Sequence, residues 1–474
     1  MGAFGWQLKG DGHLKPGEVV APHERLPWGK TIGLGAQHVV AMFGATFVFP
    51  ILMGLSPQLA IMMSGIATLI FLAIVGGQVP SYLGSSASFV GVAAAIRAMP
   101  GGDSRMVTGA ILIGGLVLAA VGLVIHLMGA QVIHRILPPV VTGAVVMLIG
   151  FNLAPVVANI YWPQDQWVAL AVMVFAIVCA VALKGFLGRI SIFLSLVLGY
   201  VLSWLLDRGL GQITSFDPGA GKVTTHWRVN LDAVASSPWF GLPTMTTMGA
   251  DGKEIPGIHA PTFSLAAVLV VIPAIIALVA ENTGHVKAVA EMTGADLDHV
   301  MGRAIAADGV TTALSSSVGG APTTTYAENI GVMAASRVYS TAAYVVAAGI
   351  AILFGLSPKF GALVAATPGG VLGGITVVLY GMIGLLGAKI WRENGVDFAN
   401  PVNLVPVAAG IILGIGNSTL RISDTFELSG IALGTIVTIA AYHLARATAH
   451  DGLRMPRDGD GAVLTVGHEG LDKV

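Results

Sequence analysis

The stretch Ala321-Pro322-Thr323-Thr324-Thr325-Tyr326-Ala327-Glu328-Asn329-Ile330-Gly331-Val332-Met333-Ala334-Ala335-Ser336-Arg337 changes character partway along. Three β-branched threonines behind Pro322 favour extended backbone, and the run after Tyr326 is helix-competent. Glu328 and Asn329 fall where the extended part becomes helix, between long apolar segments. A carboxylate at the centre of a bilayer costs roughly 2.5–3.5 kcal/mol or more. Non-helical backbone at that depth is tolerated only where it lines a cavity or is buried in protein. The stretch therefore reads as a binding site in the middle of a membrane protein.

Composition agrees. The 474 residues are 55% hydrophobic and 10% charged, with mean hydropathy +0.81; a soluble domain carries about 25% charged residues. This is an all-α polytopic membrane protein. A lone cysteine, Cys179, excludes a disulfide framework, and the net charge of −1 gives no ground for a nucleic-acid partner. The polar segment 1–30 lacks the apolar run and cleavage site of a signal peptide. No metal-ligand cluster, activated nucleophile or phosphate loop is legible, so neither an enzyme, a cofactor nor a metal is expected.

Apolar spans near the ~20 residues that a bilayer requires predict helices near 31–53, 57–77, 105–128, 139–155, 166–184, 188–206, 263–284, 300–319, 338–355, 370–388, 402–418 and 427–447. Two further segments, near 80–98 and 321–336, are too short or too rich in Gly, Ser and Thr for ordinary spans. They read as strand-plus-half-helix segments, third and tenth in a set of 14 crossings. An even number puts both termini on one side. With that side inside, it carries 16 of the 24 Lys and Arg, and four of the other eight lie in the long loop 207–262, which counts little. Both termini are therefore expected in the cytoplasm.

The chain also echoes itself. Pro138-Pro139-Val140-Val141-Thr142-Gly143-Ala144 returns 230 residues later as Pro368-Gly369-Gly370-Val371-Leu372-Gly373-Gly374, and Ser81–Val92 is matched by Thr323–Val332. Seven crossings per half is odd, so the halves are inverted, a 7+7 repeat. Paired interrupted segments in inverted halves point to a transporter's substrate site.

Other polar residues sit in apolar runs: Glu281, with His285 four residues on and so on the same helical face; His38 after Gln37; Asp308; and Ser85 and Ser86 in the first interrupted segment. Two carboxylates facing one cavity suit a flat ligand with several N–H donors, since an ionised carboxylate only accepts. Backbone N–H groups freed at the broken segments suit the ligand's carbonyl oxygens, and an aromatic such as Tyr326 suits its face. A ring with alternating N–H and C=O, such as uracil, fits. Glu328 opens a half-helix, where the dipole favours an anion, whereas Glu281 is placed near the C-terminal end of its helix, where the dipole disfavours one. Glu281, with His285, is thus the expected proton-coupling group, and Glu328 mainly an acceptor for substrate. His38, Asn329 and Asp308 read as structural partners.

These residues resemble the nucleobase/cation symporters, also called nucleobase–ascorbate transporters. The family signature, Gln or Glu, Asn, any residue, Gly, four residues, Thr and a basic residue, is similar to Glu328-Asn329-Ile330-Gly331-Val332-Met333-Ala334-Ala335-Ser336-Arg337, with Ser336 in place of Thr. Gln37-His38, the run Ala280-Glu281-Asn282-Thr283-Gly284-His285 and the run Ser81–Gly91 are similar to its first, eighth and third helices, over about Leu26–Ala447. Glu at the head of the signature resembles the bacterial uracil and pyrimidine permeases. The resemblance implies that Glu281 and Glu328 bind the pyrimidine, that backbone at Ala87, Tyr326 and Ala327 adds hydrogen bonds, that Tyr380 lies near the site and that His285 takes part in proton coupling. Ala87 stands where some uracil permeases carry Phe, so a purine such as xanthine or uric acid is the alternative substrate; a nucleobase facilitator is the alternative mechanism, since sequence does not show that protons move with the substrate. It further implies a core domain (31–128 and 263–355), a gate domain (129–206 and 356–447) that forms a homodimer among membrane lipid, an extracytoplasmic loop (207–262), tails at 1–30 and 448–474, and the inner membrane.

Overall fold

The computed structural model describes residues 5–10, 18–129, 138–184, 186–217, 222–243, 246–248, 254–423 and 426–450. The tail beyond His450 lies outside them, as do Lys15, Arg135, Arg454, Arg457 and Lys473 of the cations assigned to the inner side.

A helix occurs in each expected apolar segment. The first seven are α1 (Trp28–Met53), α2 (Pro57–Ile74), α3 (Val90–Arg97), α4 (Ser104–Met128), α5 (Pro139–Phe151), α6 (Gln166–Ala182) and α7 (Ser191–Leu210). The second seven are α8 (Ile272–Thr293), α9 (Asp298–Ser317), α10 (Ala327–Ser336), α11 (Thr341–Gly355), α12 (Gly369–Glu393), α13 (Pro401–Ile415) and α14 (Gly430–Thr448). Among the described residues, eight helices are long and apolar enough to cross a membrane, or nine if Thr341–Gly355 and the helix Pro358–Ala365, bent by 84°, form one span. This is a multi-pass membrane protein. Side chains punctuate it as local chemistry dictates: Ser56, Asp103 and Asp165 cap α2, α4 and α6 by accepting from Leu59, Met106 and Val168 N–H groups.

One expectation shifts. Glu281 sits in the middle of α8, not near its C-terminal end, because the helix continues through Lys287 and Glu291 to Thr293 and stops only at Gly294 with φ 66°. Lys287 and Glu291 belong to a charged extension of the same helix, and the dipole argument for Glu281 falls away. Upstream, Pro273 withholds a backbone donor, and the chain from Leu265–Val270 enters α8 through a break at Val271.

Two packing groups form. In one, α4 runs along α9, α2 along α11, and α1 lies against α2 and α11. In the other, α5 runs along α12, α6 packs on α7 and α12, and α13 packs on α14. Contacts between the groups run through α8 against α5 and α1 against α7. In lipid, apolar side chains gain little by meeting one another, so close backbone approach carries helix association. At α4–α9 a Cβ on Gly122 would strike the Ala306 backbone, and one on Gly309 would strike the Ala119 amide and the Gly115 carbonyl. Between α7 and α8 the loop carries a hairpin, Ile213–Asp217 with Lys222–His226. It is pinned where Arg228 Nε donates to Asp165 at 2.7 Å and Nη1 to Asp207 at 3.1 Å.

The α4–α9 contact predicts that Gly309→Val lowers the thermal unfolding midpoint of the detergent-solubilised protein, since overpacking costs about 1–3 kcal/mol. Gly349→Ala, which meets open space, leaves it unchanged or higher. Equal midpoints for Gly309→Val and wild type would count against the packing described.

Candidate functional site

The interrupted segments meet each other. Leu83–Ser85 pairs antiparallel with Thr323–Thr325, placing Leu83 opposite Thr325 and Gly84 opposite Thr324. Two flanking bonds extend the ladder, from Ser86 N–H to the Pro322 carbonyl at 2.9 Å and from Tyr326 N–H to the Tyr82 carbonyl at 3.0 Å. No Cβ fits at Gly84, which lies against the Tyr326 ring and Thr46 Oγ1. Each strand then turns into a short helix, Ala87–Phe89 leading into α3 and Ala327 opening α10. Neither Ser86 nor Tyr326 caps its helix with a side chain, so first-turn N–H groups of both are left to point outward.

Both helix starts open into a cavity of about 780 Å³, within the range of small-molecule sites. Glu281 and His285 from α8, Ala87 and Ser88, and Tyr326, Ala327 and Glu328 line one wall. Val146 and Ile149 of α5 with Leu379, Met382 and Ile383 of α12 line the opposite, apolar wall. The exposed residues Lys287, Glu291, Lys389 and Glu393 mark the cavity's mouth, and of these Lys389 and Glu393 pair at 3.6 Å. Glu281, His285 and Glu328 are half-buried and face it; Ala327 is exposed there.

The supporting residues fall into three groups. Tyr326 donates its hydroxyl to the Ser85 carbonyl at 2.7 Å, and Ser85 Oγ donates to the Thr46 carbonyl at 2.8 Å, tying both strands to α1. The Tyr326 N–H is spent on the Tyr82 carbonyl and is not free for a ligand, although the residue lines the cavity. His38 is buried against Tyr344, ring centroids 4.4 Å apart. It accepts at Nδ1 from Asn329 Nδ2 at 3.1 Å, and Asn329 also donates to the His38 carbonyl at 3.0 Å, so this pair locks the first turn of α10 to α1. Asp308 is fully buried and accepts from Asn282 Nδ2 at 2.6 Å. His38, Asn329 and Asp308 do not line the cavity. Neither does Tyr380, which is buried beside the lining residue Leu379, its hydroxyl without a partner.

Sequence reasoning missed Asn282 and Thr325. Thr325 Oγ1 donates to Asn282 Oδ1 at 2.8 Å and meets His285 Nδ1 at 2.7 Å, so His285 is held by Thr325 and not by Glu281. Asn282 stood beside Glu281 in an already suspect run; a polar residue adjoining a buried carboxylate was the available signal. Chemically, the wall offers two carboxylates as acceptors, one imidazole, and N–H donors at two helix starts, around a space that suits a flat, polar-edged ring.

The chain is similar to known proteins in sequence and in fold. Residues 29–422 match the family model Xan_ur_permease, described as a permease family. The chain is 44% identical, over 93% of its length and 95% of the relative's, to an Escherichia coli K12 protein named "Putative pyrimidine permease RutG". It is 36% identical to the uracil permease of Bacillus caldolyticus (89% of this chain, 93% of that one) and 33% identical to that of Bacillus subtilis (86% and 91%). In fold it is similar to SLC26A9 (TM-score 0.58, 13% identity, 88% of this chain and 65% of that one). It is also similar to the transmembrane domain of the cyanobacterial bicarbonate transporter BicA (TM-score 0.53, 15% identity, 87% and 96%). With the family model spanning most of its length and such relatives covered nearly end to end, the chain belongs to the Xan_ur_permease family, the nucleobase–ascorbate transporters, and is a membrane permease rather than an enzyme.

Proposed function

We propose that this permease takes up uracil or a closely related pyrimidine nucleobase by proton-coupled alternating access. One observation carries the reading: Glu281 and Glu328, on different elements, face the same cavity at the point where two uncapped helix starts also open. Ring N–H groups donate to the two carboxylates, and ring carbonyls accept from backbone N–H at Ala87 and Ala327. The Tyr326 ring covers a face, and Tyr380 shapes the site from behind Leu379. Glu281 with His285 takes up the coupled proton. The names of the relatives, pyrimidine and uracil permeases over most of the chain, support the substrate class.

The same reading takes the chain as 14 segments in a 7+7 inverted repeat. The helix pairings support it, because exchanging segments 1–7 with 8–14 turns α4–α9 into α11–α2, α6–α7 into α13–α14, and α6–α12 into α13–α5, all of which occur. The strand pair, Gly84 opposite Thr324, lies at the centre of that exchange. Segments 1–4 and 8–11 form the core, 31–128 and 263–355, which carries the polar wall. Segments 5–7 and 12–14 form the gate, 129–206 and 356–447, which carries the apolar wall, and transport moves one against the other. Apolar residues exposed on α6 and α13, such as Val181 and Ile412, fit a gate that meets lipid and a second copy in a homodimer. The membrane is the inner one, both termini are cytoplasmic, 207–262 is extracytoplasmic, and the mouth bearing Lys287 and Lys389 opens inward.

A purine reading has one observation in its favour: Ala87 and Ala327 are small, and the cavity exceeds the volume of a single six-membered ring. Uptake of radiolabelled uracil in cells lacking their own permeases distinguishes these. Competition by thymine and collapse with a protonophore are expected. Uptake of xanthine or uric acid without uracil would move the function to purines, and protonophore-resistant uracil uptake would make the protein a facilitator.

The roles of the carboxylates predict different phenotypes. Glu281→Gln abolishes accumulation against a gradient. Glu328→Gln weakens uracil binding by about tenfold or more, the loss expected for a charge-assisted bond of about 1.5–3 kcal/mol. Undiminished accumulation by Glu281→Gln, or wild-type affinity in Glu328→Gln, would refute the respective role.

A further inference from the structure

His285 is joined to the buried Asp308 by a chain of hydrogen bonds whose direction the geometry fixes. Asn282 Nδ2 lies 2.6 Å from Asp308 Oδ2 and 3.0 Å from the Leu278 carbonyl. Both neighbours are acceptors, so the amide places its NH₂ there and spends both donors. The reversed amide would set Oδ1 against a carbonyl and a carboxylate. Asn282 Oδ1 therefore faces Thr325 Oγ1 at 2.8 Å and can only accept, which commits the single hydroxyl proton of Thr325. His285 Nδ1 lies 2.7 Å from that hydroxyl. Having given its proton to Asn282, Thr325 can only accept from Nδ1, so Nδ1 carries the hydrogen. In a neutral imidazole the other nitrogen is then bare.

We propose that Asp308, Asn282 and Thr325 are positioning residues that hold neutral His285 as the Nδ1–H tautomer, so that Nε2 serves the cavity as an acceptor. Every group in the chain is buried except the imidazole, which lines the cavity. Asp308 lies on α9, Asn282 and His285 on α8, and Thr325 in the strand pair, so the chain also couples the three elements around the site. A bare Nε2 beside Glu281 and Glu328 adds a third acceptor to the polar wall, which shares with Glu281 one of the two ring N–H groups of the proposed ligand in a three-centre bond, and its lone pair is where a proton entering the cavity binds. Only the identity of the ligand meeting Nε2 rests on the nucleobase reading; the tautomer does not.

Nitrogen-15 NMR of the purified, detergent-solubilised protein labelled at histidine, at pH 8 without ligand, reads the tautomer directly. With 12 histidines in the chain, the His285 signals are identified by subtracting the spectrum of His285→Gln. Wild type is expected to show a protonated Nδ1 and an unprotonated Nε2. Thr325→Ser keeps that pattern, whereas Thr325→Val, which removes the hydroxyl and leaves only the backbone carbonyl at 325 as an acceptor, raises the share of the Nε2–H tautomer. A proton on Nε2 in wild type, or an unchanged pattern in Thr325→Val, overturns the proposal. Titration with uracil then separates the two readings. If wild type binds uracil, Thr325→Val binds it about tenfold more weakly and Thr325→Ser as wild type; equal affinity for Thr325→Val overturns the acceptor role of Nε2. If wild type does not bind uracil, the nucleobase reading fails and the spectra alone decide the tautomer.

Discussion

A backbone that stops being helical inside a bilayer must find partners for its N–H and C=O groups, because lipid offers none. In this protein those partners are in the other half of the chain. Leu83–Ser85 and Thr323–Thr325 satisfy each other across roughly half of the sequence, with Ser86 and Tyr326 closing the two ends of the ladder. Neither segment is stable alone at that depth, so the strand pair requires both halves to be folded together. The rest follows from it. Gly84 admits the Tyr326 ring, Ser85 and Tyr326 reach α1, and Thr323 is held by Thr311 and Thr312 of α9.

The same constraint produces the site. Ending each strand obliges the chain to begin a helix in mid-membrane, and a helix that begins there brings unpaired N–H groups and the positive end of a dipole with it. Ser85, Thr323 and Thr325 in these segments are engaged in internal bonds, whereas the hydroxyls of Ser81, Ser86 and Thr324 are buried without a partner. The helix starts face the cavity, together with the carboxylates of α8 and α10. Buried pairs such as His38–Asn329 and Asp308–Asn282 lie one layer back. They hold α10 and α8 in place, and leave the facing wall of α5 and α12 free of polar attachments. Under the proposed alternating access, a polar wall tied together by hydrogen bonds moves against an apolar one.

Much of this was legible in the sequence because hydrophobicity in a membrane protein is nearly a map of the helices. The apolar runs and the two interrupted segments located α1 to α14, though not the helix Pro358–Ala365, and Glu328 at the start of α10 was evident from the change at Tyr326. The position of Glu281 along α8 was not, because Lys287 and Glu291 look like the end of a span when they are the cavity-facing part of a longer helix. The hydrogen-bond chain from Asp308 through Asn282 and Thr325 to His285 was also hidden. Its members are tens of residues apart, and Asn and Thr are too common for composition to single them out. Tyr380, close in sequence to lining residues, points elsewhere for the same reason: one helical position decides whether a side chain meets the cavity.

The most direct measurement is a crystal structure of the protein with 5-bromouracil, with the bromine located from its anomalous scattering. The account predicts a single strong peak inside the cavity, on a ring whose N–H groups meet Glu281 and Glu328 and whose carbonyls face the first turns at Ala87 and Ala327. A peak outside the cavity, or a ring within it that contacts neither carboxylate, would contradict it.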